Sequence, residues 1–178
     1  MVPIAIEGIM NGFTTVNPRL RLPTSNNASP GLLTLLTKEL LSMEKLYTAE
    51  VTATGGRDGH VKSSDGILDF ELRKPKELGG QGGATNPEEL FAAAWGPCYL
   101  GALGSVAERE GVDVSEANVK VLVSFNKADN SFVLSADLDV HIPGISIEES
   151  QSIADKAHRA CPYSKAVKGN IDVRVTAV

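Results

Sequence analysis

From Leu46 onward, hydrophobic and polar positions alternate, change period and alternate again, and each change marks an element. LYTAEVTAT (Leu46–Thr54) is β-branched and alternating, so it predicts a strand. Gly55-Gly56-Arg57-Asp58-Gly59 predicts a turn, and Ser64-Asp65-Gly66 predicts a hairpin turn leading into a strand over Ile67–Arg73. In that strand Leu68, Phe70 and Leu72 share one side, and Asp69, Glu71 and Arg73 share the other. The pattern predicts a sheet with one buried face. Lys74–Ala84 reads as a loop with a glycine-rich end. It lacks both GxGxxG spacing and the Lys-Ser/Thr of a phosphate-binding loop, so its glycines predict close approach to other backbone instead.

At Thr85 the period lengthens. TNPEELFAAAWGPCYLGAL (Thr85–Leu103) opens with a capping Asn86, Pro87 at the first helical position, and Glu88 and Glu89 at the positive end of the dipole. The apolar residues that follow lie on nearly every side, which predicts a helix in the middle of the fold ending near Glu110-Gly111. Gly96-Pro97 predicts a bend between Ala93 and Pro97, placing Cys98 in the first turn of a second half. So interrupted, the helix reads as too short to span a membrane. Alternation returns over Val119–Lys127 and Phe132–Ile142, a hairpin around Asp129-Asn130. Ser146 and Glu149 form a capping box for a helix from Ile147 to about Ala160, and Ile171–Val178 closes as a strand. Hairpins segregated from two central helices predict an α+β fold.

Residues 1–43 read differently. They are turn-rich and irregular, with one short amphipathic helix predicted over Leu32–Leu41. Three readings compete for this extension: a targeting segment, a genuine appendage, or a start site assigned too early, with Met43 as the initiator. Residues 44–178 form the second expected unit.

Composition narrows the function classes. A net charge of -5 gives no electrostatic case for nucleic acid or an anionic membrane surface, so neither is expected as a partner. Two cysteines do not make a disulfide scaffold, and they suit a reducing, cytoplasmic setting; a mitochondrial one would require the extension to be a transit peptide. His60, His141 and His158 show no ligand spacing with the thiols, so no metal is expected. Cys98 in an apolar helix reads most simply as a small hydrophobe, and Cys161 as a buried residue near a helix end. A reactive Cys98 needs a cation, because burial raises a thiol pKa. Arg57 in its glycine-flanked turn is the candidate, and Glu88 is the carboxylate that holds it. The alternative for those two is a solvated turn and an N-terminal helix charge. Leu90, Phe91, Trp95 and Tyr99 surround Cys98 in sequence and are the candidates for an apolar mouth.

Three separated motifs, GGRDG (Gly55–Gly59), TNPEELFAAAWGPC (Thr85–Cys98) and CPYSKAVKGNIDV (Cys161–Val173), together resemble the organic hydroperoxide resistance proteins of the OsmC-like superfamily. The match is colinear from about Leu46 to the C-terminus. The resemblance implies an OsmC-like fold, antiparallel β-hairpins packed around two central helices, in an intertwined homodimer with its active sites at the subunit interface. It implies a peroxidase that reduces organic hydroperoxides, including fatty-acyl ones, through a Cys98 sulfenic acid and a Cys98–Cys161 disulfide. In that reading Cys98 is the peroxidatic thiol, Cys161 resolves it, Arg57 activates it and Glu88 holds Arg57. No bound cofactor is implied; dihydrolipoamide on a lipoylated protein is the implied electron donor. The chain departs from the family at Pro97, where a small residue is usual. The rival class is a non-enzymatic carrier binding a lipid or isoprenoid in an apolar cleft, which would have no use for a thiolate-activating pair.

Overall fold

In the computed structural model, residues 44–178 are described, and the body treated below is the unit Ala49–Val178. The expected extension over residues 1–43, with its short helix, lies outside the described residues. Strands β1 (Val51–Thr54), β2 (His60–Ser63) and β3 (Asp69–Glu71) form an antiparallel sheet in that order. The strand expected from Leu46 thus begins at Val51, and the one expected over Ile67–Arg73 is paired over three residues. The Ser64-Asp65-Gly66 turn is held by the Asp65 carboxylate, which accepts from Ser63 Oγ and from the Ile67 amide. The buried face predicted for this sheet is not completed among the described residues. Val61 and Leu72 are buried, but Phe70 is 47% exposed and Ile67 85%, because no helix or strand among the described residues packs across it.

The glycine-rich loop contains a single 3-10 turn, Lys76–Leu78, and a Cβ placed on Gly80 would lie 2.0 Å from the Lys74 carbonyl oxygen. Close backbone approach accounts for that glycine. Helix α1 (Pro87–Glu110) then starts and stops as its caps dictate. Asn86 Oδ1 accepts from the Glu89 amide at 3.0 Å, and Gly111 ends the helix at φ 69°.

Three expectations for α1 are corrected. The helix is unbroken through Gly96-Pro97, so Cys98 sits mid-helix and α1 itself offers it no free first-turn amides. Pro97 and Ala93, whose carbonyl loses its donor to the proline, both lie on the exposed side, where water can serve that oxygen. At 24 continuous residues the helix is also long enough to cross a bilayer, so length does not exclude that role; packing defines its place in this fold. Nor is it buried all round. Trp95, Gly96, Tyr99, Leu103, Val106 and Ala107 face inward, whereas Ala93, Ala94, Pro97, Gly101 and Ser105 are exposed. Small residues fill the outer face.

Strands β4 (Asn118–Ala128) and β5 (Ser131–His141) form the predicted hairpin, in register with Val123 opposite Ala136. Helix α2 (Ile147–Ala160) carries the predicted cap, the Glu149 amide donating to Ser146 Oγ. A short helix, α3 (Pro162–Val167), follows it and had not been predicted. Strand β6 (Asp172–Ala177) pairs with β5 in parallel, giving the order β4-β5-β6. That pairing departs from an all-antiparallel expectation, and α2 with α3 supplies the crossover a parallel neighbour requires. Alternate residues Ala136, Leu138 and Val140 of β5 meet Trp95, Tyr99 and Leu103 of α1 and Ile153, Ala154 and Ala157 of α2 in one core.

Candidate active site

The packing of α1 on α2 and α3 brings the two cysteines together. Cys98 is partly buried in the middle of α1. Cys161 is fully buried at the corner between α2 and α3, where its backbone leaves helical geometry at ψ 126° and Pro162 opens the next helix. Their sulfurs are 3.6 Å apart, with the Cys161 thiol positioned to donate to Cys98 Sγ. A shift of about 1.5 Å would carry them to the ~2.05 Å of a covalent bond.

Burial pushes the Cys98 thiol above its ordinary pKa, the Tyr163 backbone N–H pulls it down, and the neighbouring Cys161 pushes it up again. Two thiolates in such proximity repel, and a partly dry site disfavours even one. Among the described residues, no cation acts on this sulfur. Arg57 forms a two-pronged pair with Glu88 instead, NH1 to Oε2 at 2.8 Å and NH2 to Oε1 at 2.6 Å. Hydrogen bonding to Glu88 raises the Arg57 pKa, and the same bonds lower that of Glu88. The solvated-turn alternative for these two residues therefore does not hold. Arg57 also lies over the Phe125 ring, 4.5 Å from its centroid.

The turn that delivers Arg57 is tightly closed. Gly55 and Gly56 adopt φ 72° and 66°, and a Cβ on Gly59 would lie 1.9 Å from the Thr54 carbonyl oxygen. Glu88, in the first turn of α1, is ten positions before Cys98, about 15 Å of helix rise. Thus the chain assembles two half-sites, an Arg57–Glu88 pair and a Cys98–Cys161 pair, and does not join them.

The four mouth candidates divide. Trp95 and Tyr99 are fully buried and hydrogen-bonded, Trp95 Nε1 to Ser164 Oγ at 3.1 Å and Tyr99 OH to the Ala154 carbonyl at 2.8 Å. Burial raises the Tyr99 phenol's pKa as well. These two residues are core anchors, a correction that follows from their inward position on α1. Leu90 and Phe91 are partly exposed, and Phe91 packs edge-on against Trp95 and tilted against the half-exposed Tyr163. Residues that sequence reasoning missed are Phe125, Tyr163 and Ser164. Pro162 directly after Cys161 was the available signal for α3, whereas nothing local distinguishes Phe125 from other strand residues. Among the described residues, no three side chains of metal-ligating type converge.

Comparison with known proteins places this geometry. The family model described as OsmC-like protein matches residues 80–176. The organic hydroperoxide resistance protein of Xanthomonas axonopodis pv. citri is 45% identical over 140 residues, 77% of this chain and 99% of that one. A solved organic hydroperoxide resistance protein from Legionella pneumophila aligns with TM-score 0.72 and 41% identity, covering 75% of this chain and 98% of that one. The solved OhrB of Bacillus subtilis aligns with TM-score 0.69 and 39% identity, covering 75% and 100%. The colinear motifs, the two-sheet α+β fold and these relatives agree: the chain belongs to the OsmC-like family, among its organic hydroperoxide resistance proteins.

Proposed function

We propose that this protein is a thiol peroxidase that reduces organic hydroperoxides to alcohols. The carrying observation is the 3.6 Å approach of the two sulfurs, in a chain whose relatives are named for organic hydroperoxide resistance. The Cys98 thiolate attacks the terminal oxygen of ROOH; an S–O bond forms, the O–O bond breaks, and the alkoxide leaves as the alcohol after taking a proton. Cys98 is then a sulfenic acid. The Cys161 thiol displaces its oxygen as water, forming the Cys98–Cys161 disulfide. A lipoyl dithiol carried on a partner protein reduces that bond by two exchange steps, so one dithiol is oxidised for each hydroperoxide reduced. A cycle of this kind suits a reducing compartment such as the cytoplasm. The partly exposed Leu90, Phe91 and Tyr163 favour an organic chain over hydrogen peroxide.

The active unit is a homodimer. The Cys98 pKa is raised by burial and the thiol meets no cation among the described residues of its own chain, while Arg57 is held about three helical turns away along α1. The exposed small-residue face of α1 and the uncovered β1–β3 sheet are the surfaces a two-fold partner would bury. Joining them supplies the partner's Arg57 to Cys98 and lets the thiolate form.

Intact mass after one equivalent of cumene hydroperoxide tests the cycle. Wild type should lose two hydrogens, Cys161→Ser should gain one oxygen on Cys98, and Cys98→Ser should not react. Full-rate cycling by Cys161→Ser with a lipoyl dithiol would remove the resolving role.

A further inference from the structure

Arg57 is gripped from two directions, and only Glu88 was legible as a partner. Its guanidinium lies 4.5 Å from the centroid of Phe125, a β4 residue in the other sheet. Phe125 is itself stacked on Phe132, with centroids 4.9 Å apart and ring planes 16° from parallel. The hairpin register explains the pair: Phe125 faces Leu134, so Phe132 is its diagonal neighbour across β4 and β5. Stacking fixes the plane of the Phe125 ring, and that ring offers its negative face to the cation.

The two contacts constrain different motions. The paired bonds to Glu88 fix the guanidinium within its own plane and leave rotation about the carboxylate axis free. A ring beneath that plane stops the rotation. Together they aim one edge of the guanidinium, with its Nε–H and one outer N–H, in a fixed direction, and turn the other outer N–H to the opposite edge. The Arg57 side chain remains 34% exposed. The geometry points to Phe125 as a positioning residue, which with Phe132 forms an aromatic platform that sets the guanidinium plane of Arg57. Phe125 does not touch the reacting atoms and acts through Arg57 alone. The consequence for catalysis rests on Arg57 being the cation that activates Cys98.

The test uses full-length protein and two independent readouts. Phenylglyoxal modification of Arg57, followed by peptide mass with Arg73 as internal control, reports how firmly the guanidinium is held and needs no peroxide. The rate constant for Cys98 oxidation by cumene hydroperoxide reports the consequence. Phe125→Leu should raise Arg57 modification and lower the oxidation rate constant, each by about three- to thirtyfold, leaving Arg73 unchanged. Phe125→Tyr keeps an aromatic face and should restore both. Phe125→Met, a flexible side chain of similar volume, should behave like leucine and stands in for it if Phe125→Leu does not fold. Unchanged Arg57 modification in the leucine and methionine variants overturns the platform, as does an equal defect in Phe125→Tyr. If wild type does not react with hydroperoxide yet Phe125→Leu exposes Arg57, the peroxidase reading falls and the platform stands.

Discussion

The two sheets of this chain are built from the same alternating pattern, yet one is finished and the other is not. Strands β4–β6 carry α1 and α2 on their inner face, and Leu138 and Val140 are fully buried there. Strands β1–β3 carry no helix or strand among the described residues, and Phe70, in an equally regular pattern, is 47% exposed. The pattern of a strand therefore states which residues seek cover, and a different part of the molecule must provide it. In one sheet the same chain does so. In the other, the cover belongs to the proposed second copy, and the division follows the chemistry: the thiols sit in the finished half and the arginine at the edge of the unfinished one.

Substitution in each half probes the contrast most strongly. Leu138→Ala should cost about 2–5 kcal/mol in denaturant unfolding, because its cavity is closed on all sides. Phe70→Asp should cost little in the separated chain but should shift the species seen by light scattering from dimer to monomer. If the dimer supplies Arg57, alkylation of Cys98 at neutral pH should slow in parallel. Equal losses of chain stability in the two variants would erase the distinction between the sheets.

Acid titration is the gentler probe. Hydrogen bonding from Arg57 depresses the Glu88 pKa, so the pair's contribution is present above the ordinary glutamate range. It is lost as pH falls through the lowered folded value. With Arg57 a third exposed, the expected difference between wild type and Glu88→Gln is about 1 kcal/mol or less, present at neutral pH and gone in acid. A gap that widens on acidification would contradict the pairing. Because burial raises the pKa of Cys98, its alkylation rate in a monomeric variant should keep rising above the pH of an ordinary thiol, whereas the dimer should level off earlier.

What was legible in the sequence was local. The α2 boundaries and the β4–β5 hairpin were predicted to within a residue, because capping boxes and alternation are written in adjacent positions. The parallel placement of β6 was not, since a strand carries no mark of its neighbour's direction. Pro97 suggested that the helix divides, yet it continues through this position, where the missing hydrogen bond falls on the exposed side. In the site, Cys98, Cys161, Arg57 and Glu88 were all singled out from their chemistry and motifs. Trp95 and Tyr99 were misjudged because nearness in sequence to a cysteine on a helix says little about which face a side chain shares with it. Phe125 was invisible for the opposite reason: it meets Arg57 only across the fold.

The turn around Arg57 also constrains how the gene can vary. At Gly59 any side chain would collide with the Thr54 carbonyl, and at Gly56 the space is open while the backbone stands at φ 66°. A saturation library sorted for hydroperoxide turnover should therefore be blank at codon 59. At codon 56 it should admit asparagine and aspartate, the residues that tolerate left-handed backbone. The loop is thus a pair of adjoining filters of different mesh, and its tolerance spectrum can be read by sequencing alone.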